Sequence, residues 1–390
     1  MKRLKVAVLS RNFSPTGGGA ERYAIALVEQ LAADHDIHVF AQTIEHVWPG
    51  VAYHVVGPRL RKPRWLNQLG FAFATWRATR SGFDVVHSHE NTWHGDVQTA
   101  HVLPVHHNLL HDKRGVGRAL RWLKVATSLR LITYLGLEKA RLAPRAGRRI
   151  VAASQTLAST LAHSYPASAP MLSVITPGID LPVASRRHER PVARRALGLP
   201  ETGRCLLLVG NDLRKKGLGP LLTALADLPR DVFVAVAGNP EQAPAFKAQI
   251  ERLELGGRVH FLGSQSDMSL AYCAADVLVH PTVEDTFAMV VLEAMAYGLP
   301  VVVSAARYCG ISSLLTHGQN ALLLADPRVA TQIREQVGRV LEDKALRDGL
   351  SAEAIRFAGG YKWPEIAALQ ALLYVSVHAE KSRRTESVAT

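Results

Sequence analysis

Short apolar runs bounded by glycine or proline alternate with helical patterns, and this alternation limits the possible folds most strongly. In the first half, runs typical of strands occupy residues 5–10, 37–41, 84–89 and 148–154. A second series occupies residues 205–210, 232–238, 258–263, 276–281 and 299–304. Continuous apolar strands separated by helices indicate parallel sheets covered on both faces. We therefore predict an α/β protein with two doubly wound, Rossmann-like parallel-sheet domains in tandem.

The domain boundaries follow from length and from a break in the pattern. A chain of 390 residues is too long for one ordinary core and suits two domains. Proline, glycine and charge replace periodicity after residue 174, in VITPGIDLPVASRRHERPVARR. We predict a first domain over 1–178 and a second over 179–364. The amphipathic segment 365–382 predicts a terminal helix that returns to the first domain, and 383–390 a disordered tail.

Composition and cysteine usage indicate a cytoplasmic location. Hydrophobic residues make up 48% of the chain, and no uninterrupted apolar run reaches the about 18 residues of a membrane span. The N-terminal MKRLKVAVLSRNF has too short an apolar run for a signal peptide. The 3 cysteines are widely spaced and odd in number, which argues against a disulfide or zinc framework.

The net charge of +13 is concentrated in the first half, where residues 1–180 carry 22 Lys and Arg against 11 Asp and Glu. Two basic segments, 59–80 and 113–149, interleave cations with Trp, Phe or Tyr, a pattern typical of interfacial or anion-facing surfaces. We predict that four residues contact an anionic membrane surface or the acceptor: Arg61, Lys62, Arg64 and Trp65. A solvated basic face remains an alternative. No nucleic-acid recognition motif accompanies the charge, so we expect no nucleic-acid partner.

A glycine-rich loop follows the first predicted strand. Gly17, Gly18 and Gly19 precede a helix, so the backbone can approach a ligand closely and helix N–H groups can face an anion. A dinucleotide-binding domain would have an acid at the end of its second strand, where this chain has Gln42. The Walker-type phosphate loop is also absent from the sequence. The loop therefore suggests an anionic ligand other than NAD.

A second loop of this kind adds cations. After the strand 205–210 come Asn211, Arg214, Lys215 and Lys216, and Gly217 opens the next helix. Adjacent cations at the carboxyl end of a strand, beside a helix N-terminus, suit a phosphate group. A solvated loop is the alternative interpretation.

The segment HPTVEDTFAMVVLEAMAYG, residues 280–298, combines acids with an apolar helix pattern. Pro281 breaks the strand, and Asp285 or Thr286 is predicted to cap a helix that ends at Gly298. Glu293 lies two turns inside this helix among apolar residues. Because a buried carboxylate is costly without partners, we expect Glu293 to meet ligand hydroxyls or a cation from the basic loop.

These features together resemble the retaining glycosyltransferases of family four, whose GT-B fold has two Rossmann-like domains facing across a cleft. The most specific match is a pattern in which seven residues separate an acid from a Glu, and Ala-Met-Ala-x-Gly-x-Pro-Val-Val follows the Glu directly. In this chain the pattern is formed by Asp285, Glu293 and AMAYGLPVV. DVVHSH, VITPGID and the Lys-Gly of RKKG also match. Asp285 stands where the family usually has Glu, so Glu284 remains an alternative. Thr286-Phe287-Ala288 replaces Gly-Phe-Gly, and Asn211 replaces an Arg.

The resemblance implies roles for individual residues. Glu293 would bind the nucleotide ribose, Asp285 the sugar hydroxyls, and Lys216 and Lys215 the departing phosphates. His101 would face the donor sugar, whereas His87 and His89 are predicted to be structural. The catalytic set is thus Lys216, Lys215, Asp285 and His101. The remaining donor-binding set is Gly17, Gly18, Gly19, Asn211, Arg214, Glu284, Thr286, Phe287, Ala288, Met289 and Glu293.

The resemblance further implies a reaction. A hexose would move from a nucleoside diphosphate sugar, expected to be a UDP-sugar, with retained anomeric configuration and without metal or cofactor. The Asp-His-Asp of residues 34–36 is interpreted as a turn. The expected acceptor is a lipid-linked or cell-envelope saccharide such as lipopolysaccharide core, at the inner face of the cytoplasmic membrane. Alternatives are a soluble small-molecule acceptor, a GT-B nucleotide-sugar epimerase, and a binding protein without catalysis.

Overall fold

The computed structural model describes residues 2–15, 18–57, 62–111, 115–182, 190–265 and 267–389, with side chains to residue 384. The chain divides into two compact units. Unit 1 comprises Met1–Gly178 and Trp363–Thr390, and unit 2 comprises Ile179–Lys362. Each unit is built on its own parallel β-sheet, so the predicted α/β class with two parallel-sheet domains is confirmed.

Unit 1 contains a seven-stranded sheet with the order β5-β3-β1-β6-β7-β8-β9, in which every pairing is parallel. Its strands, with the small pair β2 and β4, are β1 (Lys5–Leu9), β2 (Asn12–Phe13), β3 (Asp36–Ala41), β4 (Thr43–Ile44), β5 (Ala52–Val55), β6 (Val85–Ser88), β7 (Val97–Ala100), β8 (Arg149–Ala152) and β9 (Leu172–Val174). Its first six helices are α1 (Gly19–Leu31), α2 (Arg64–Thr79), α3 (Val105–Leu110), α4 (Gly115–Ala126), α5 (Leu129–Leu142) and α6 (Gln155–Ser164).

Unit 2 contains a six-stranded parallel sheet with the order β12-β11-β10-β13-β14-β15. Its strands are β10 (Arg204–Val209), β11 (Val232–Ala237), β12 (Val259–Gly263), β13 (Val277–His280), β14 (Val301–Ser304) and β15 (Leu322–Leu324). Its helices are α7 (Arg190–Ala196), α8 (Leu218–Ala226), α9 (Lys247–Arg252), α10 (Ser269–Ala274), α11 (Met289–Ala296), α12 (Ala330–Glu342) and α13 (Lys344–Ala358).

The central strands form because their residues suit burial on both faces. β11 reads VFVAVA and is buried throughout, as are all four residues of β13 and of β14. Such strands need helices on both sides of the sheet. Every predicted strand is present. The two-residue strands β2 and β4 were not predicted, and neither were the four strands β5, β7, β9 and β15 of the large sheets. Those four are only three or four residues long, and the first three include polar side chains.

The last helix, α14 (Trp363–Ala389), belongs to unit 1 and packs against α1. Tyr374 and Val377 are fully buried, and Lys381 Nζ donates to Asp96 Oδ2 at 2.8 Å. The helix continues to Ala389, whereas the sequence predicted an end at 382 and a disordered tail from 383. The extension has a local cause, because its Arg, Glu and Ala favour helix and it contains neither Gly nor Pro.

Candidate functional site

The strand order of unit 2 places two loops at a topological switch point. After β10, the chain adds β11 and β12 on one side of it and then β13, β14 and β15 on the other, so the order reverses between β10 and β13. Open parallel sheets bind ligands at the carboxyl ends of the strands that flank such a point. The loops that follow these strands are 210–217 and 281–288, and they contain the predicted basic loop and the first acids of the motif.

Lys216 and Asp285 form an ion pair between these loops, with Nζ 2.5 Å from Oδ2. The side chains are 20% and 15% exposed. The loop backbones are also joined, since the Val283 N–H donates to the Lys215 carbonyl at 2.8 Å and the Thr282 hydroxyl donates to the same oxygen at 3.1 Å. A cation suited to phosphate and an acid suited to hydroxyl groups therefore stand side by side.

His280, the last residue of β13, completes this cluster and was missed by the sequence analysis. Its Nε2 lies 3.3 Å from Asp285 Oδ2, and the side chain is fully buried. Burial is the main cause that lowers the pKa of His280. Burial opposes ionisation of Asp285, but the His280 hydrogen bond and the Lys216 charge outweigh it and hold the pKa of Asp285 well below its usual range. A neutral imidazole therefore donates to an ionised carboxylate.

Two glycines allow the loops to approach. Gly217 has a left-handed backbone with φ +80°, and a Cβ there would lie 2.0 Å from the Pro281 carbonyl oxygen. A Cβ on Gly210 would lie 2.4 Å from Lys216 Cγ. Any side chain at either position would displace the ion pair or its backbone support. The sequence had indicated glycine at these turns but not the close contacts that require it.

The helix after Asp285 begins later than predicted. The Asp285 N–H donates to the Tyr308 carbonyl at 2.8 Å, while Asp285 Oδ1 accepts from the Phe287 N–H at 3.2 Å. This pairing holds 285–287 in a turn, so α11 starts at Met289 and the predicted cap at Asp285 or Thr286 is wrong. Ala288 precedes the helix with a left-handed φ of 75°, at the position where the family pattern has its second glycine.

Glu293 has a protein partner that the sequence analysis did not identify. The Tyr272 hydroxyl, on α10, donates to Glu293 Oε2 at 2.5 Å. The Glu293 side chain is half-buried on α11, and the Tyr272 ring lies 5.1 Å from that of Tyr297 between centroids. A partly buried carboxylate is costly without hydrogen-bond partners, and the Tyr272 hydroxyl offsets part of that cost.

The remaining predicted residues of these loops lie nearer the surface. Lys215 Nζ pairs with Glu284 Oε1 at 3.0 Å, and both side chains are exposed by more than a third. Arg214 and Asn211 are exposed, and the Asn211 carbonyl accepts from Gln242 Nε2 at 2.7 Å. Of the two alternatives for the first motif acid, Asp285 is therefore the one that contacts Lys216.

The equivalent switch point in unit 1 lies between β1 and β6. After β1, Gly18 precedes α1 and Gly19 is its first residue, so the N-terminus of this helix follows the strand as predicted. Predicted residues Gly17 and Arg61 lie outside the described residues. After β6 comes His89, whose Nδ1 lies 2.9 Å from Nε2 of the predicted residue His101.

His101 and its neighbours form a cluster of neutral aromatic groups. His87 Nδ1 contacts the Tyr374 hydroxyl at 2.6 Å, and its Nε2 contacts the Thr99 hydroxyl at 2.7 Å. Burial lowers the pKa of His87 and His101 to about 3 and that of His89 well below 6.5. Within the described part of the chain, no three His, Cys, Asp or Glu side chains are grouped to hold a metal ion.

The basic segments of unit 1 expose apolar side chains. On α4 only Val125 is buried, whereas Val116, Leu120 and Leu123 lie on one helical face and are 77%, 62% and 62% exposed. Lys62 and Arg64 are exposed at the start of α2, and Trp65 is half-buried. The same helix exposes Leu66, Phe73 and Trp76. No helix in the described ranges has the length and apolar character needed to span a bilayer.

Comparison with protein families gives two matches in succession. The model described as Glycosyl transferases group 1 matches residues 189–357, and that described as Glycosyltransferase Family 4 matches residues 17–182. Lipopolysaccharide glucosyltransferase WaaG of Escherichia coli K12 is 31% identical over 190 residues, 46% of this chain and 50% of WaaG. A D-inositol 3-phosphate glycosyltransferase of Thermobispora bispora is 32% identical over 257 residues, 62% of this chain and 58% of that protein. The aligned region thus spans about half the length of these curated relatives.

Solved structures share the fold over most of the chain. The crystal structure of WaaG aligns with a TM-score of 0.79 and 24% identity, covering 93% of this chain and 98% of WaaG. Anabaena HepE in complex with UDP-glucose aligns with a TM-score of 0.74 and 19% identity, covering 96% and 100% of the two chains. At these identities the similarity establishes the architecture alone.

Proposed function

Because the chain belongs to the group 1 glycosyltransferases of family 4, with the GT-B fold, we propose that it transfers a hexose from a nucleoside diphosphate sugar to a saccharide acceptor. The observation that carries this proposal is the contact of Lys216 with Asp285 at the switch point of unit 2. The cation suits a diphosphate, and the ionised carboxylate beside it accepts hydrogen bonds from sugar hydroxyl groups. Glu293, held by Tyr272, is proposed to accept from the ribose.

The proposed chemistry follows from where charge develops. As the bond to the anomeric carbon breaks, negative charge grows on the phosphates, and fixed cations and amide dipoles stabilise it. Lys216, Lys215 and the N-terminus of α11 supply these groups in our proposal. The acceptor oxygen attacks on the face that the phosphate leaves, so the anomeric configuration is retained. We propose that turnover needs no metal ion or cofactor.

A UDP-sugar is the proposed donor, and HepE, which shares the fold, has been solved with UDP-glucose. The proposed acceptor is a lipid-linked or cell-envelope saccharide such as lipopolysaccharide core, and the relative WaaG is by its name a lipopolysaccharide glucosyltransferase. The second candidate is a soluble small-molecule acceptor. It is favoured by the D-inositol 3-phosphate glycosyltransferases among the relatives and by the basic character of the first half.

We further propose that unit 1 docks on the inner face of the cytoplasmic membrane. The exposed apolar face of α4 lies opposite its buried Val125, and Lys124 borders this face, with Arg121 next to it around the helix. An amphipathic helix of this kind inserts shallowly, and its cations attract anionic lipid at about 1 kcal/mol each. Lys62 and Arg64 add charge at the start of α2.

A screen of nucleotide sugars by thermal unfolding tests the proposed donor. One nucleoside diphosphate sugar is expected to raise the melting temperature, since a ligand at 100 times its Kd stabilises the folded state by about 2.7 kcal/mol. Transfer to lipopolysaccharide core and to inositol phosphate then separates the two acceptor classes. Retained anomeric configuration and full turnover in a chelator are the expected results. Release of epimerised sugar without an acceptor would instead support the epimerase, and no response to any nucleotide sugar would reject the proposal.

Vesicle sedimentation tests membrane docking. Replacing Arg61, Lys62 and Arg64 together with Ser is expected to weaken partition onto phosphatidylglycerol vesicles by about 100-fold. The double variant Leu120→Ser with Leu123→Ser should weaken it by at least about 10-fold. The matched control is Leu369→Ser with Leu372→Ser, an equally spaced pair of exposed leucines on α14. Unchanged partition of both test variants would refute docking through α2 and α4.

A further inference from the structure

His280 and Lys216 share one carboxylate oxygen. Lys216 Nζ lies 2.5 Å and His280 Nε2 3.3 Å from the same Asp285 Oδ2. The two donors differ in freedom, because Lys216 has a long side chain on a surface loop, whereas the His280 ring is fully buried at the end of a central strand. Lys216 can therefore change partner by rotating its side chain, and His280 cannot.

The proposed function makes such a change necessary. If Lys216 neutralises the charge that grows on a diphosphate, its ammonium group must turn from Asp285 towards the phosphates. Asp285 would then lose its nearest cation at the moment when it has to hold the sugar hydroxyls. A largely buried carboxylate without a fixed donor would move or take up a proton.

We propose that His280 is a positioning residue that holds Asp285 ionised and in place while Lys216 moves from this carboxylate to the diphosphate of a bound sugar nucleotide. This inference rests on the proposed function. A neutral ring suits the task, because its Nε2–H donates to the carboxylate while the ring adds no positive charge that would compete with Lys216 for the phosphates. His280 itself is not expected to contact the substrate.

The surroundings of His280 support a fixed position. Ser304, on the neighbouring strand β14, donates its hydroxyl to the carbonyl oxygens of His280 at 3.3 Å and of Thr282 at 2.7 Å. The other ring nitrogen of His280, Nδ1, is buried and has no hydrogen-bond partner among the described residues. An apolar side chain of similar size would avoid the cost of that unpaired nitrogen. Stability of the strand alone therefore does not explain a histidine here, and the contact with Asp285 does.

The inference predicts a selective loss of sugar recognition. His280→Leu keeps a side chain of comparable bulk but removes the donor, so the affinity for UDP-glucose should fall by at least about 10-fold while that for UDP changes less than about threefold. His280→Gln places an amide N–H near the Nε2 position and should restore most of the difference. His280→Asn places its amide nearer Nδ1, cannot reach Asp285, and should resemble His280→Leu.

Isothermal titration of UDP and UDP-glucose into each variant tests the inference, with urea unfolding to verify the fold. The control is His260→Leu, a partly buried histidine on β12, three strands from β13 in the same sheet. If His280→Leu is too unstable, the comparison of His280→Gln with His280→Asn carries the test. Equal losses for both ligands, or equal affinities of the Gln and Asn variants for UDP-glucose, would overturn the inference alone. Wild-type protein that binds neither ligand would overturn the proposed function first, and the inference with it.

Discussion

Each unit has a histidine on the strand that pairs with its first strand across the switch point, but the two histidines have different surroundings. In unit 1 the strand that pairs with β1 across the switch point is β6, and in unit 2 the equivalent strand is β13. His87 on β6 meets imidazole rings and hydroxyl groups, whereas His280 on β13 meets a carboxylate that also binds a lysine. Position in a doubly wound sheet therefore selects where a ligand can bind, and the following loop decides whether charge is available there.

The largest effect is expected where the comparison depends on charge. Lys216→Ala should slow turnover at least about 100-fold, because removing a preorganised group that stabilises developing charge costs about 2.7 to 4 kcal/mol. Steady-state transfer with the preferred donor measures it. Lys247→Ala is the matched control, since this lysine of unit 2 is exposed and pairs only loosely with Glu251 at 3.9 Å. A Lys216→Ala enzyme within threefold of wild type would remove Lys216 from the proposed mechanism.

A smaller effect is expected when the pH is lowered, and the loss of folding stability should be greater in unit 1 than in unit 2. The pKa values of His87, His89 and His101 are lowered from 6.5 by burial, so below that pH the unfolded chain binds more protons than the folded one. Their stabilising contribution is present above pH 6.5 and is lost as the pH falls below it. Each histidine should cost unit 1 about 1 kcal/mol between about pH 6.5 and 5.5.

Hydrogen exchange at the two pH values measures this loss. Protection in β6, β7 and α14 should fall more than protection in β10 and β13. The cluster of three histidines lies in unit 1, whereas the Lys216–Asp285 cluster of unit 2 contains one histidine among the described residues, His280. Unit 2 serves as the internal control, after correction for intrinsic exchange rates. Equal losses in the two units, or earlier opening of unit 2, would contradict the neutral character assigned to the cluster in unit 1.

The smallest effects separate the two adjacent acids. Asp285→Asn should weaken sugar-nucleotide affinity by at least about 10-fold, because a hydrogen bond to a charged group contributes about 1.5 to 3 kcal/mol. Glu284→Gln is the matched control and should change affinity less than twofold, since exposed ion pairs such as that with Lys215 contribute about 0 to 1 kcal/mol. Titration with the preferred donor measures both. A larger loss of affinity in Glu284→Gln than in Asp285→Asn would make Glu284 the first acid of the motif.

Sequence reasoning reached the fold because buried parallel strands carry their own signal. VFVAVA and LPVVVS can be read as strands without knowing their neighbours. β7, with the sequence VQTA, could not, because Gln98 and Thr99 are buried through partners such as Arg141 and His87 that lie far along the chain. The same limit applies to α11, whose start is delayed by backbone pairing with Tyr308.

The candidate site was predictable only in part for the same reason. The local pattern singled out Lys216 and Glu293, and the family resemblance added Asp285 and assigned phosphate and hydroxyl groups to the three. Neither could identify His280 or Tyr272, since a histidine ending an apolar strand and a tyrosine in a short helix have no local signature of a carboxylate partner. Their roles depend on side-chain contacts that only the folded unit provides.

The way α14 completes unit 1 has a consequence for synthesis on the ribosome. The hydrogen bond from Tyr374 to His87 joins residues 287 positions apart, and Lys381 reaches back to Asp96 from a similar distance. Until residues 363–384 have left the ribosome, the histidine cluster lacks its contact with Tyr374 on α14, whereas all of unit 2 has already been translated. The nascent chain can thus complete unit 2 first, leaving unit 1 open to chaperones until α14 has been translated.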